Sequence, residues 1–114
     1  MRNITIMEVI DWIMEHREGS DAFKDYPHNK IAAEINNAIK HGCFRLETNS
    51  KEEIVGVVCG EKFHQAKCIL IHDVLTTHPD ALKALWSRYL LTYPDWTLVA
   101  GHKGKMKTFY KAKV

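Results

Sequence analysis

The apolar positions of the chain first recur at helical spacing. In "TIMEVIDWIMEHREG", Ile6, Val9, Ile10, Ile13 and Met14 lie three or four residues apart, the stripe of an amphipathic helix. Thr5 and Glu8 stand ahead of it at the spacing of a capping box, and Gly19 is a stop signal. "SDAFKDYPHN" reads as a connecting loop. A second helix is expected to begin near Pro27, a residue suited to a first helical turn. Ile31, Ala32, Ile35, Ala38 and Ile39 form its expected buried stripe, and Gly42 follows as a left-handed cap.

The period then changes to two. "CFRLET" alternates Phe44 and Leu46 with Arg45 and Glu47, the pattern of a half-buried strand. "NSKEE" is a turn. "EIVGVVCGEKF" is apolar and β-branched, so it reads as a central strand, with Gly56 and Gly60 marking a bulge or a close backbone approach. "HQAK" turns the chain into a third strand, "KCILIHDVL". Short turns between the three strands imply an antiparallel meander. "TTHPDALKALWSRYLLTYPDW" is then a helix, with Pro79 and Asp80 in its first turn and Leu82, Leu85, Trp86, Tyr89 and Leu90 on one face. "WTLVAG" is a fourth strand. A helix between strands three and four implies that they run parallel through a crossover.

Composition adds bounds. The chain has 114 residues, which reads as a single domain over 1–114 able to bury a core without disulfide or metal. No apolar run approaches the ~20 residues of a membrane span, which excludes a membrane partner of that kind. No basic-then-apolar leader is visible, and three cysteines cannot all pair within the chain, so a reducing cytoplasm is expected. Charge is uneven. Residues 1–57 hold seven Lys/Arg against ten Asp/Glu, and residues 58–114 hold nine against four. A basic face toward the C-terminus follows.

That basic half carries the first candidate chemistry. Lys103, Lys105 and Lys107, with Phe109 and Tyr110 close by, have the composition for meeting phosphates while rings stack on bases. The segment 103–112 fits a helix, with Met106, Phe109 and Tyr110 on one face, or a strand, with Met106, Thr108 and Tyr110 on one face. Cys59, His64, Cys68 and His72 come at spacings of five, four and four, but on a strand-turn-strand they lie too far apart for one zinc ion. The cysteines read as small buried hydrophobes. Trp12, Trp86 and Trp96 read as core.

The element order and the ending "LVAGHKGKMKTFYKA" resemble the GCN5-related N-acetyltransferase (GNAT) family, over roughly residues 4–112. The resemblance implies an α+β fold of two N-terminal helices, a meander, a crossover helix, a parallel fourth strand and a short closing element, in the family a helix. It implies acetyl-CoA as a possible cofactor, lying along the third-strand backbone at Ile71, Asp73, Val74 and Leu75. Tyr110 matches the family's general acid toward the departing thiolate. His72, late in the third strand, is the candidate base toward an amine.

One family feature has no counterpart. The Gly-rich loop that holds a pyrophosphate at a helix N-terminus is replaced by "LTTHPDALKALW", which lacks glycine, loses a donor at Pro79 and places Asp80 where phosphates would sit. The chain is also similar to small phage-encoded GNAT-like proteins, including virion components. Three functions are therefore expected to compete. They are a catalytically degenerate GNAT-like protein for assembly or interaction, with a protein partner or a second copy and a cytoplasmic or virion location; an acyl-CoA-dependent N-acyltransferase; and a small basic module for nucleic acid or an acidic partner.

Overall fold

The computed structural model describes residues 3–102 and 105–110. Helix α1 spans Ile6–His16, and its capping box forms: the Thr5 hydroxyl accepts from the Glu8 N–H at 3.1 Å, and the Glu8 carboxylate accepts from the Thr5 N–H. Helix α2 spans His28–Lys40, with Pro27 as its cap residue and Gly42 following at φ +70°. Its apolar stripe buries Ile31, Ile35 and Ala38. Ile39, expected on that stripe, is 48% exposed.

Strands β1 (Phe44–Thr48), β2 (Ile54–Phe63) and β3 (Cys68–Thr76) form the antiparallel meander, with a 3₁₀ turn at His64–Ala66. Helix α3 (Pro79–Thr92) crosses over to β4 (Thr97–His102), which runs parallel to β3. A fifth strand, β5 (Lys105–Tyr110), pairs antiparallel with β4, so the sheet order is β1-β2-β3-β4-β5. The closing element is therefore a strand. Its pairing with β4 begins at His102↔Lys105 and continues to Leu98↔Tyr110.

Period-two alternation divides the sheet between two layers. Val57 and Cys59 of β2 face α1 and α2, where they pack with Val9, Ile10, Ile13, Phe23, Ile31 and Ile35. Val58 faces α3 and packs with Leu85, Tyr89, Ile69, Ile71 and Leu98. Each fully buried aliphatic chain stabilises by roughly 1.5–3 kcal/mol relative to exposure. Gly56 lets α3 close on β2: a Cβ there would lie 3.1 Å from Leu85 and from Thr76.

Candidate functional site

Strand β3 changes face partway along. Cys59 pairs with Asp73 and the next residue of β2, Gly60, pairs with Ile71, so His72 is an extra residue, a β-bulge. Ile69 and Ile71 consequently point toward α3, whereas Leu75 and Asp73 point toward α1 and α2. Gly60 accommodates the kink: a Cβ there would meet the Leu70 carbonyl at 3.2 Å and the Ile69 and Ile71 side chains at 3.3 Å.

The two parallel strands also part at this point. Pairing runs from Cys68↔Thr97 to Ile71↔Ala100 and stops, although β3 continues to Thr76 and β4 to His102. A cavity of about 290 Å³ opens there, lined by Ile71, His72, Asp73 and Val74 of β3, Ala100 of β4, and the Ser20–Ala22 segment of the α1–α2 loop. That size lies at the lower end for a small-molecule pocket, enough for a small acyl or amine group. Three of the four backbone positions expected to meet a cofactor (Ile71, Asp73 and Val74) line it. Leu75 is packed in the α1–α2 core instead. His72 is exposed at the rim, with Nε2 3.1 Å from Glu61 Oε1. Asp73 instead faces the α1–α2 layer.

Asp73 does something the sequence did not signal. Only 9% exposed, it accepts the Phe23 N–H on Oδ1 at 2.8 Å. Phe23 is fully buried at φ +56°, a left-handed conformation costing roughly 1–2 kcal/mol for a residue with a Cβ. Its carbonyl accepts from the Arg17 guanidinium at 3.0 Å, and Arg17 also donates to the Tyr26 carbonyl at 2.6 Å. These bonds clamp the α1–α2 loop onto β3 and fix one wall of the cavity.

Glu34 of α2 lies beside Asp73. Its Oε2 is buried and has no partner meeting hydrogen-bond distance and angle among the described residues. Burial first, then the hydrogen bond and charge of the neighbouring Asp73 carboxylate, push the Glu34 carboxyl up to about 9, with Lys30 opposing. Glu34 is therefore held protonated through neutral pH. The signal in the sequence was the spacing Ile31-Glu34-Ile35-Ala38, which puts the acid on the buried face. Between pH 4.5 and about 9 the native state keeps a proton that the unfolded chain has released, so stability falls as pH rises through that window. The carboxyl is partly screened by solvent, so the total loss expected is about 2 kcal/mol, well under the full linkage value. Urea unfolding at pH 5, 7 and 9 measures it, and Glu34→Gln, neutral at every pH, flattens the profile.

The thiols are not activated. Burial raises Cys43, Cys59 and Cys68 above the ordinary thiol value, for Cys59 with Glu34 and Asp73 adding to the effect. Among the described residues, no side chain caps the N-terminus of α3. Pro79 stands in the first turn with Asp80 behind it, His78 makes no side-chain cap, and the Thr77 hydroxyl lies 2.9 Å from His78 Nδ1 and donates to the Val55 carbonyl at 3.3 Å.

The backbone of Tyr110 pairs with Leu98, at the joined end of β3 and β4. His72 stands past the opposite end of that pairing, roughly 10 Å further along the strand direction and two strands away. The backbone thus does not bring these two expected catalytic positions together. Lys105 and Lys107 occupy alternate positions of β5, and Lys103 lies outside the described residues. No family model, no curated protein and no solved structure matches this chain.

Proposed function

We propose that the chain is a divergent GNAT-like protein that has lost acyl transfer and serves assembly or interaction, with a phage virion as the setting suggested by small phage-encoded proteins of this type. The observation that carries this reading is the start of α3. A pyrophosphate needs several free backbone N–H groups at the positive end of a helix dipole. Here Pro79 removes one donor, and the Asp80 carboxylate already occupies the favourable field and repels a second anion. The parted strands and their cavity support descent from a ligand-binding architecture. The donor missing at Pro79 and the negative charge of Asp80 support its retirement.

A second reading, N-acyl transfer, is favoured by the cavity itself, where His72 borders Ile71, Asp73 and Val74. In that reading His72 accepts the amine proton, and the acid toward the thiolate is a group other than Tyr110, whose backbone lies at the far end of the β3–β4 pairing. Thermal melting with excess acetyl-CoA separates the two. The degenerate reading expects an unchanged Tm. A ligand at a hundredfold excess over its Kd would stabilise by about 2.7 kcal/mol, and a shift of that order would overturn it.

A further inference from the structure

The end of the sheet away from the cavity carries a run of aromatic and basic side chains in mutual contact. The His64 ring meets Trp96 at 5.4 Å between centroids, and Trp96 meets Tyr93 at 5.9 Å, both edge to face. Lys62 Nζ lies 4.5 Å from the centre of the Tyr93 ring. The Tyr93 hydroxyl donates to the Gly42 carbonyl at 2.7 Å, and the same carbonyl accepts from Arg45 at 3.3 Å. Lys67, the residue that closes the turn, accepts the Thr97 N–H on its carbonyl at 3.0 Å, next to Trp96. The sequence from His64 through Trp96, Tyr93 and Lys62 to Arg45 is one continuous strip.

Its exposure is unusual for so many rings. His64 and Lys67 are exposed, Tyr93, Trp96 and Lys62 are half-buried, and Phe63 beside them is 45% exposed. Tyr93 is anchored through its hydroxyl on the Gly42 carbonyl, and Trp96 packs against the α3 core while staying half-exposed. Two carboxylates lie in the same segments. Glu61 is engaged by His72 at 3.1 Å, and Asp95 is exposed. Against them stand Arg45, Lys62 and Lys67, so the strip is cationic. The end of β5 at Tyr110 lies at this same end of the sheet, opposite Leu98.

We propose that this strip binds single-stranded nucleic acid, with bases stacking on Trp96 and His64 and phosphates meeting Lys62, Lys67 and Arg45. Fixed rings interleaved with cations at a protein surface are the arrangement that single strands recognise, because every base offers a π-face and every linkage a charge. Duplex DNA hides its faces and is not expected to fit. The inference names a partner for the interaction role and rests on that reading only in this respect; acetyl-CoA binding at the cavity would leave it standing.

The test is fluorescence anisotropy with a labelled single strand of about twelve thymidines, a length within the usual site size, and with the matching uridine strand and a duplex as separate arms. Binding is expected for either single strand, with log Kd changing by about two per log unit of salt for three phosphate contacts. Trp96→Ala is expected to weaken binding about tenfold or more and Trp96→Phe by about threefold or less. Lys67→Asn sits in an exposed turn at φ +46°, which asparagine tolerates, so it tests the charge without endangering the fold. It should lower the salt slope by about 0.7. The proposal is overturned if no single strand binds at low salt. It is equally overturned if the duplex or a flexible polyglutamate competes as well as the single strand, or if both Trp96→Ala and Lys67→Asn bind unchanged.

Discussion

Tyr89→Ala should be the most damaging single truncation, costing about 4 kcal/mol in urea unfolding, within the range for buried aromatic residues. Tyr89 is fully buried at the centre of the α3 layer, in edge or tilted contact with Trp86 and Tyr93 and with the Arg45 guanidinium over its face. Its hydroxyl donates to the Cys43 carbonyl, which ties α3 to the entry of β1. Desolvation holds the phenol well above its ordinary pKa, so it stays a donor throughout the accessible pH range. A chain of this length has a total stability of roughly 6–17 kcal/mol, so the loss is a large fraction of it. Tyr89→Phe isolates the hydroxyl. The Cys43 carbonyl keeps a second donor, the Gly60 N–H at 3.1 Å, so Phe should cost only about 1 kcal/mol. If Ala and Phe cost the same, the packing account of α3 fails.

Asp73→Ala is expected to cost about 3 kcal/mol, chiefly because it leaves the buried Phe23 N–H without an acceptor and frees a strained loop. The loss should be local first. Hydrogen exchange at the Phe23 amide is expected to accelerate before the β2–β3 ladder is affected, since the clamp holds the α1–α2 loop and does not hold the sheet. Asp73→Asn retains an oxygen acceptor for Phe23 and removes the charge that presses on Glu34. It should cost under about 1 kcal/mol and reduce the pH dependence described for Glu34. An Asn variant as unstable as the Ala variant would show that the negative charge, and not the hydrogen bond, holds the loop.

Both predictions concern residues that a linear reading understood only in part. Tyr89 was legible as a core position because it falls on the helical stripe with Leu82, Leu85 and Trp86. The bond to Cys43 was not, since it links positions 46 residues apart. Asp73 read as a third-strand backbone position beside a possible cofactor. Its true partner is a loop amide 50 residues earlier. The spacing placed Glu34 on the buried stripe of α2, but the carboxyl of Asp73 beside it comes from 39 positions further along, and only the fold brings the two together.

The amino-acid order determined the elements and their succession. Two amphipathic stripes with their caps, one alternating run, the apolar runs of the next strands and a proline-started crossover helix follow from local periodicity and local caps, which are properties of neighbouring residues. It also pointed to a parallel β3–β4 pair, because a crossover helix is the usual link between parallel strands, and the pairing bears this out. The tertiary structure decided what depends on distant partners. The bulge at His72 reverses the faces of β3, an outcome the unbroken alternation of "CILIHDVL" does not reveal, because a bulge is defined by pairing with β2. The form of the C-terminal segment as β5 was decided the same way: its periodicity suited helix and strand equally, and the open edge of β4 supplied the hydrogen bonds that only a strand can use.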